Sequence, residues 1–361
     1  MSRLRVGIVG GGFMATVHSR AARAAGAELA GIVSSSPTRG AAAAEALGIE
    51  RAFPDLDALL GEVDVVHVCT PNAFHAEQAL AVARAGVHVV CEKPLATTVA
   101  DSRQLVRAAS GVTATVPFVY RFHPLVREAR ARVASGEAGR VLSIRASYLQ
   151  DWLLSADDDN WRVDPETGGR SRAFADIGSH LVDLLEFITG DPIARVAATR
   201  RTFVEKRAEH AAVSTEDAAA VTIETAGGAI GTLLVSQAAP GRKNALTLEI
   251  AGSAESIAFE QENPETIWVG RRGGSLSIPR DADQLSPDAA RLCTVPAGHP
   301  QGYQDAFNAF VADSYAAIAG GEPEGLPRFT DGLRAVQLTE TVMDAAERGA
   351  WLDVPSEGDT Q

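Results

Sequence analysis

The first 120 residues alternate short apolar stretches with segments of helical periodicity, and this alternation restricts the folds open to the chain. The apolar stretches run from Leu4 to Val9, Leu29 to Val33, Val63 to Cys69 and Val87 to Cys91, and glycine or polar residues follow each one. Strands that alternate with helices are typical of a parallel, doubly wound sheet covered on both faces. The sequence therefore predicts an α/β domain at the amino terminus.

The pattern changes after the segment Tyr120 to Pro124. One helix to about Ser135 follows, and then strands with alternating apolar and polar residues, near 141–149, 196–203, 218–225, 230–236 and 246–251. Such alternation is typical of an antiparallel sheet with one covered face. We predict a second, α+β domain with an open, mostly antiparallel sheet and helices near 177–188, 301–319 and 330–348. The predicted domains are residues 1–122 and 123–361, and the polar tail 355–361 is expected to fray.

Charge and cysteine content exclude several classes of function. The formal net charge of −13 disfavours binding to nucleic acids or anionic membranes. The three cysteines form no CxxC pair, and two of them, Cys69 and Cys91, end apolar strands, which indicates small buried thiols in a reducing compartment. The start of the chain does not resemble a signal peptide, and no apolar stretch approaches membrane-spanning length. We therefore expect a soluble cytoplasmic protein.

The glycine turn after the first strand has the spacing Gly10-x-Gly12-x-x-Ala15 and leads into a helical stretch. Gly10 would allow the tight turn, and Gly12 would let backbone N–H groups approach a pyrophosphate. Ala15 would let the helix pack close to the sheet, with the positive end of its dipole at the ligand. The alternative is a glycine-rich turn without a ligand. In this strand–helix context the turn predicts a Rossmann dinucleotide-binding domain.

The end of the second strand bears on the choice of cofactor. An NAD site usually has a carboxylate here that binds the ribose 2′-hydroxyl, but the sequence after Val33 is Ser34-Ser35-Ser36-Pro37-Thr38-Arg39. Hydroxyls and a guanidinium can donate to a 2′-phosphate. The alternative is a polar turn that caps the next helix, with Arg39 in solvent. The segment favours NADP(H) over NAD(H), with Ser34, Ser35 and Arg39 as contacts.

Lys93 stands in Glu92-Lys93-Pro94, directly after the apolar strand that ends at Cys91. Ligands bind at the carboxyl ends of the strands in open α/β sheets, and a desolvated ammonium needs a reason to lie there. Pro94 restricts Lys93 to an extended conformation, which would aim the ammonium at a substrate hydroxyl. Glu92 either pairs with Lys93 or turns away. The alternative is a lysine on the surface at a strand end.

Asp176 and His180 are four residues apart in the second domain and would share one face of a helix. Histidine is the natural acid or base near neutral pH, and a neighbouring carboxylate can hold it or a substrate hydroxyl in place. An N-cap at Asp176 with a packed histidine explains the same spacing equally well. No third ligand at suitable spacing appears, so we expect no metal site.

Together these motifs resemble the glucose-fructose oxidoreductase/inositol dehydrogenase (Gfo/Idh/MocA) family, and the resemblance covers nearly the whole chain. It is most specific at residues 7–14, 70–75, 91–95 and 176–180. The resemblance implies hydride exchange between a nicotinamide and a carbon of a sugar, sugar derivative or polyol. It also implies a homodimer or homotetramer formed through the sheet of the second domain.

The resemblance also implies roles for individual residues. His180 would be the acid/base on the reacting hydroxyl, with Lys93 and Asp176 holding and polarising that hydroxyl. The implied cofactor contacts are Phe13, Met14, Thr70, Pro71, Asn72, His75, Glu92 and Lys93, besides the glycines and the Ser34–Arg39 segment. The implied substrate contacts are Lys93, Tyr120, Gln150, Trp152, Trp161, Arg162, Asp176 and His180.

Two segments depart from the pattern of the family. Many members carry Asn-Tyr-Arg where this chain has Val119-Tyr120-Arg121, so an amide is absent beside the expected pocket. The run Gly168-Gly169-Arg170-Ser171-Arg172 replaces a plainer glycine cluster. Its two arginines could bind an acidic substrate or face solvent, and we expect them to face solvent.

The function that the sequence favours is that of an NAD(P)-dependent sugar or polyol dehydrogenase, or of a keto-sugar reductase in the reverse direction. One alternative is a hydrolase or lyase in which tightly held NAD transiently oxidises a sugar. Another is a non-catalytic nucleotide-binding protein, although such a protein would not need Lys93, Asp176 and His180 together.

Overall fold

The computed structural model describes residues 3–355 and divides into two compact units. The first unit combines the chain up to Val119 with Tyr303–Val336, and the second combines Tyr120–Gly302 with the chain from Gln337 onward. The polar tail beyond residue 355, which the sequence predicts to fray, lies outside the described residues.

The strands and helices follow one another in two blocks. Up to residue 120 these are β1 (Arg5–Val9), α1 (Phe13–Ala24), β2 (Glu28–Val33), α2 (Pro37–Leu47), α3 (Leu56–Leu60), β3 (Val65–Val68), α4 (His75–Arg84), β4 (His88–Cys91), α5 (Val99–Ala108) and β5 (Ala114–Thr115). Then come α6 (Pro124–Ala134), β6 (Val141–Leu149), α7 (Pro165–Gly168), a π-helical turn (Phe174–Gly178), α8 (Ser179–Thr189), β7 (Ile193–Arg201), β8 (Ala218–Thr225), β9 (Ile230–Ser236), β10 (Ala245–Gly252), β11 (Ser256–Glu260), β12 (Thr266–Arg271), β13 (Gly274–Pro279), α9 (Pro287–Ala290), α10 (Tyr303–Ile318), α11 (Phe329–Arg348) and β14 (Leu352–Asp353).

The sheet of the first unit has the strand order β2-β1-β3-β4-β5, and all its pairings are parallel. Its strands are short and mostly apolar, and every residue of β3 is buried, as expected for a sheet covered on both faces. The chain moves from β1 to β2 on one side and then to β3 on the other. The order therefore reverses between β1 and β3, and a crevice at their carboxyl ends is the usual ligand position in such sheets.

Helix α10 completes the first unit although it lies far along the chain. It packs against α1, where Phe307 contacts the ring of His18 with centroids 4.6 Å apart. Ser314 of the same helix hydrogen-bonds the Thr115 hydroxyl of β5 over 3.1 Å. The predicted domain division at residue 122 gave the whole of 123–361 to the second domain. The compact units differ from it, because α10 and the start of α11 pack with the parallel sheet.

The second unit contains a nine-stranded sheet with the order β13-β12-β11-β10-β6-β9-β8-β7-β14. All its pairings are antiparallel except that of β6 with β9. Buried and exposed residues alternate along β8 and β9, so one face of the sheet is covered. Helix α8 and the π-helical turn pack against this sheet, on β6 and β9 respectively. The predicted fold class, a doubly wound parallel sheet followed by an open, mostly antiparallel one, is confirmed.

Two expectations about the second unit differ from the structure. Strands β11, β12 and β13 were not predicted, since 256–279 lacks a long alternating run. Arg172, expected in solvent, is buried and pairs with Asp217, whose carboxylate also binds Arg207. A buried guanidinium requires such a partner. Arg170 is partly exposed and pairs with Asp344 and Glu347. Within residues 3–355, no helix has the length and apolar character needed to cross a membrane.

Candidate active-site residues in the two units

The glycine turn after β1 has the conformation that the sequence predicts. Gly10 has φ +106°, in a region that glycine adopts without strain, and its N–H donates to the Val33 carbonyl over 2.8 Å. A Cβ atom at this position would lie 2.6 Å from the Cys69 carbonyl oxygen, just after β3. Gly10 therefore lets the ends of β1 and β3 approach each other at the point where the strand order reverses.

The residues after Gly10 fit a pyrophosphate. A Cβ atom on Gly12 would meet no atom within 4 Å, so the space beside its backbone is open. Gly12 is the N-cap of α1, no side chain caps this helix end, and its first turn contains no acidic residue. Ala15 is fully buried, whereas Phe13 is 74% exposed. Free backbone N–H groups at the positive end of a helix form a suitable site for a phosphate anion.

The segment after β2 presents hydroxyls and a guanidinium without a carboxylate. Arg39 donates from its guanidinium to the Ser35 hydroxyl over 3.1 Å, and both residues are exposed. Ser36 caps α2 by accepting from the Arg39 N–H, so the capping alternative applies to Ser36. Ser34 is half-buried. The groups predicted to contact a 2′-phosphate thus include a guanidinium and hydroxyl that already lie together.

His75 joins the segments that follow β3 and β4. Its Nδ1 lies 2.8 Å from the Pro94 carbonyl oxygen and its Nε2 lies 2.8 Å from the Thr70 carbonyl oxygen, and the ring is buried. The Thr70 hydroxyl donates to Gln78 over 2.6 Å, and Asn72 is buried. Both ring nitrogens of the predicted cofactor contact His75 therefore face carbonyl oxygens of the chain itself. This histidine holds the two strand ends in place.

Glu92 turns away from solvent, one of the two orientations that the sequence left open. Its Oε1 lies 2.9 Å from Nε2 of His18, and its Oε2 accepts the backbone N–H of Lys93 over 3.1 Å. Burial raises the pKa of Glu92, but the hydrogen bond from His18 and the positive charge of Lys93 hold it below its usual value. Lys93 is half-buried, and its peptide bond to Pro94 is cis.

In the second unit, Asp176 lies in the π-helical turn and is not the N-cap of α8. Its Oδ2 accepts from the side-chain amide of Gln237 over 2.8 Å, and its Oδ1 lies 3.4 Å from Nε of Arg162. π-Helical turns are rare in proteins, and many of those that occur lie at functional sites. The two oxygens are therefore held from two directions, which fixes the carboxylate in place.

His180 follows in the first turn of α8 and is half-buried. Its ring meets that of Tyr120 edge to face, with centroids 5.1 Å apart. Tyr120 belongs to a hydrogen-bonded chain: its hydroxyl lies 2.6 Å from that of Tyr148, which donates to Asn244 Oδ1 over 2.6 Å. Gln150 donates to the same oxygen over 2.9 Å.

Two tryptophans lie close to this cluster. Trp152 donates from its indole nitrogen to Gln150 over 2.7 Å. The Arg162 guanidinium lies 4.4 Å from the ring centroid of Trp161 and 5.8 Å from that of Trp152. The second unit thus brings together all its predicted substrate contacts: Tyr120, Gln150, Trp152, Trp161, Arg162, Asp176 and His180.

Sequence reasoning missed Gln237 and Asn244. They lie after β9 and before β10 and belong to no motif, so only the strand pairing brings them to Asp176 and Tyr148. Tyr148 was also missed as an individual residue. It is the last buried position in the alternation of β6, which is the one signal that could have indicated an inward-facing hydroxyl.

A dinucleotide-binding parallel sheet, joined in one chain to a unit that presents a carboxylate, a histidine and aromatic rings, defines a nicotinamide-dependent oxidoreductase. Residues 4–118 match the oxidoreductase family with an NAD-binding Rossmann fold, and residues 126–258 match the GFO/IDH/MocA C-terminal domain. The chain belongs to the Gfo/Idh/MocA family of NAD(P)-dependent oxidoreductases.

Individual relatives agree with this assignment. The chain is 31% identical to levoglucosan dehydrogenase of Pseudarthrobacter phenanthrenivorans, over 98% of this chain and 99% of that protein. It is 35% identical to D-xylose 1-dehydrogenase (NADP(+)) 2 of Haloferax volcanii, over 48% of this chain and 54% of that protein. A solved structure of levoglucosan dehydrogenase in complex with NADH and L-sorbose is similar, with a TM-score of 0.92, 30% identity, and coverage of 99% of this chain and 100% of that one.

Proposed function

We propose that this oxidoreductase exchanges a hydride with a hydroxyl-bearing carbon of a sugar or polyol, and that His180 is the acid/base. A bound nicotinamide would accept the hydride in oxidation and donate it in reduction. In oxidation, His180 takes the hydroxyl proton as the carbon loses hydride; in reduction it returns that proton to the carbonyl oxygen. The observation that carries the proposal is the fixed Asp176 carboxylate, four residues before His180.

Lys93 and Asp176 have separate roles in the proposed reaction. The Lys93 ammonium donates a hydrogen bond to the reacting oxygen and stabilises the negative charge that develops on it. Asp176 accepts a hydrogen bond from the substrate or from His180 and keeps either in register. Trp152 and Trp161 provide apolar ring faces, and Arg162 and Gln150 provide donors, a combination that suits a hydroxylated ring.

The first test is a panel of sugars, inositols and keto-sugars assayed by nicotinamide absorbance. We expect turnover with at least one member, and His180→Ala to lower kcat by about 10²- to 10⁴-fold. The affinity for the reduced cofactor, measured by fluorescence, should stay unchanged in that variant. His299→Ala changes an exposed histidine and serves as the control.

Absence of turnover on the whole panel would contradict the proposal. A cofactor that survives purification and is regenerated in each turnover would support the hydrolase or lyase alternative.

We propose NADP(H) as the preferred cofactor, with Ser34, Ser35 and Arg39 at its 2′-phosphate. The Arg39–Ser35 contact and the absence of a carboxylate between Ser34 and Arg39 support this preference. The name of the xylose dehydrogenase supports it as well, whereas the NADH complex of levoglucosan dehydrogenase favours the alternative, NAD(H).

Fluorescence titrations with NADPH and NADH test the cofactor preference. Arg39→Ala should weaken NADPH binding by roughly tenfold or more, the effect of one lost charge-assisted hydrogen bond. NADH binding should change little. Thr38→Ala, at the neighbouring exposed position, is the matched control. Tighter NADH than NADPH binding by the unaltered protein would refute the preference.

We further propose that the protein is cytoplasmic and forms a homodimer or homotetramer through the nine-stranded sheet. The exposed face of β6 to β9 carries small and hydroxylated side chains together with Leu234 and the ion pair of Arg145 with Glu249, and Trp351 lies beside it. Leu234→Arg should lower the mass measured by light scattering. Leu276, on the edge strand β13, is similarly exposed but lies outside that surface. Leu276→Arg is therefore the matched control and should leave the mass unchanged.

A further inference from the structure

Four polar side chains are buried inside the first unit without a role in the reaction described above. They are His18 of α1, His67 of β3, Glu92 after β4 and Tyr315 of α10. Buried polar groups are costly unless their hydrogen bonds are satisfied. Each of these four is bonded to the next: Tyr315 to His67, His67 to His18 and His18 to Glu92.

The distances are those of ordinary hydrogen bonds. The Tyr315 hydroxyl lies 2.9 Å from Nε2 of His67, and Nδ1 of His67 lies 2.8 Å from Nδ1 of His18. Nε2 of His18 lies 2.9 Å from Oε1 of Glu92. The other oxygen of Glu92 accepts the backbone N–H of Lys93. A continuous chain therefore runs from α10 to the backbone of the proposed catalytic lysine.

One placement of protons satisfies every link. The phenol proton needs an acceptor, and the described residues offer it Nε2 of His67. A neutral His67 then carries its proton on Nδ1 and donates to His18. His18 accepts there, carries its own proton on Nε2, and donates to Glu92. The reverse placement makes His67 donate to Tyr315, which would deprive the phenol proton of that acceptor.

The electrostatic environment agrees with this placement. Burial holds the pKa of His67 well below its usual value, so His67 is neutral. Burial raises the pKa of Tyr315, which keeps the phenol protonated. The pKa of Glu92 is lowered despite burial, so this carboxyl is ionised and accepts from both sides.

We propose that His18 is a positioning residue for Lys93, acting through Glu92, and that His67 and Tyr315 fix the tautomer that His18 needs. The proposal rests on the role of Lys93 in the proposed function. His18 holds the buried carboxylate in one orientation, and that carboxylate accepts the Lys93 N–H and so fixes the backbone of the residue that carries the ammonium. An error of about 1 Å in the position of such a group can cost about 10²-fold in rate.

The chain contains only three lysines, Lys93, Lys206 and Lys243, which makes a direct test possible. Carbon-13 at the lysine Cε, observed by NMR, reports the surroundings of each ammonium without any substrate. We expect His18→Leu and Glu92→Gln to shift the Lys93 resonance. Lys206 and Lys243 should keep theirs, since both lie in the second unit. An unshifted Lys93 resonance in both variants would overturn the proposal whatever the substrate.

Nitrogen-15 NMR of the histidine rings tests the proton placement. The proposal requires the proton on Nδ1 in His67 and on Nε2 in His18, and the opposite tautomers or a cationic His18 would refute it. Tyr315→Phe should disturb the His67 signals, because it removes the donor to Nε2.

Kinetics then separate positioning from simple structural damage. His18→Leu and Glu92→Gln should each lower kcat by roughly 10- to 100-fold while cofactor affinity holds. His18→Gln keeps a donor near Glu92 and should restore most of the activity. In the Glu92→Gln background, His18→Leu should lower kcat little further, because both changes interrupt the same hydrogen-bonded connection to Lys93.

Ser19→Ala is the control for these variants. Ser19 neighbours His18 in α1, is equally buried, and its hydroxyl has no partner among residues 3–355. This variant should keep the kcat of the unaltered protein. Fully additive losses in the double variant, or no rescue by glutamine, would show that His18 stabilises the unit without positioning Lys93. If the unaltered protein turns over no sugar, the proposed function fails, and the NMR measurements still decide the positioning role.

Discussion

Gly10 and Gly86 have similar left-handed backbones but different surroundings. Gly10 has φ +106° and Gly86 has φ +74°, so an added side chain is strained at both positions. A Cβ atom at Gly10 would press against the backbone of Cys69, whereas one at Gly86 would meet no atom within 4 Å. The comparison separates the cost of the conformation from the cost of the close approach between β1 and β3.

Gly10→Ala should therefore destabilise the protein more than Gly86→Ala. The conformational strain alone costs about 1–2 kcal/mol per residue. Gly86→Ala should lower the free energy of unfolding by that amount. Gly10→Ala should lower it further, because two backbone segments must separate. Urea unfolding of both variants measures the difference. Equal losses would mean that the turn relaxes without opening the crevice.

Single residues also show how far a motif can be interpreted. The motifs located Gly10, Lys93 and His180 correctly on their elements, because each motif is local and carries its own structural context. They could not show that His75 and Glu92 direct their polar atoms into the protein. The hydrogen-bond partners of these atoms lie 5 to 74 positions away in the sequence, and only the folded sheet brings them together.

At the scale of elements, the π-helical turn Phe174–Gly178 sets the direction of Asp176. Gly178 ends the turn, and a Cβ atom there would lie 2.7 Å from the Phe174 ring. The ring is fully buried, so it has little freedom to move aside. The π-helical turn therefore needs a residue without a side chain at position 178, because the Phe174 ring occupies that space.

Gly178→Ala should lower both stability and kcat, because the displaced Phe174 moves the segment that carries Asp176. We expect a loss of about 1–3 kcal/mol, as for other overpacked cores. Gly273→Ala, where a Cβ atom meets nothing within 4 Å, is the control and should change neither quantity. Thermal unfolding and the sugar assay measure the two effects. Unchanged kcat with lowered stability would show that Asp176 does not depend on the turn.

The sequence predicted elements well where periodicity was strong. Strands β6, β8 and β9 have the predicted bounds, since each alternates over seven to nine residues. Strand β5 is only two residues long, and the chain enters a 3₁₀ turn at Val119. The π-helical turn was predicted as ordinary helix, since the sequence pattern does not distinguish the two.

At the scale of the whole molecule, the buried histidine His67 links stability to pH. Its pKa lies well below the ordinary value of 6.5 in the folded protein, because burial opposes the charged form. In the unfolded chain it titrates at the ordinary value. Below pH 6.5 the unfolded state therefore binds a proton that the folded state does not, and stability falls as the pH decreases.

We expect the free energy of unfolding to fall between pH 6.5 and 5.5, with a His67 contribution that approaches about 1.4 kcal/mol per pH unit. His67→Gln should reduce this slope, because glutamine does not titrate. His299→Gln, at an exposed position, should leave the slope unchanged. Urea titrations at several pH values give the slopes. An identical slope for His67→Gln and the unaltered protein would show that His67 is protonated in the folded state.

The first unit is built from two stretches separated by about 180 residues, and this affects its synthesis. Ribosomes add roughly 5–20 residues per second, so α10 emerges about ten to forty seconds after β5. Until then the nascent parallel sheet lacks Phe307 beside His18 and lacks the Tyr315 hydroxyl at His67. The cofactor-binding unit begins first during translation and is completed late, so a chain truncated before α10 would leave α1 without its covering helix.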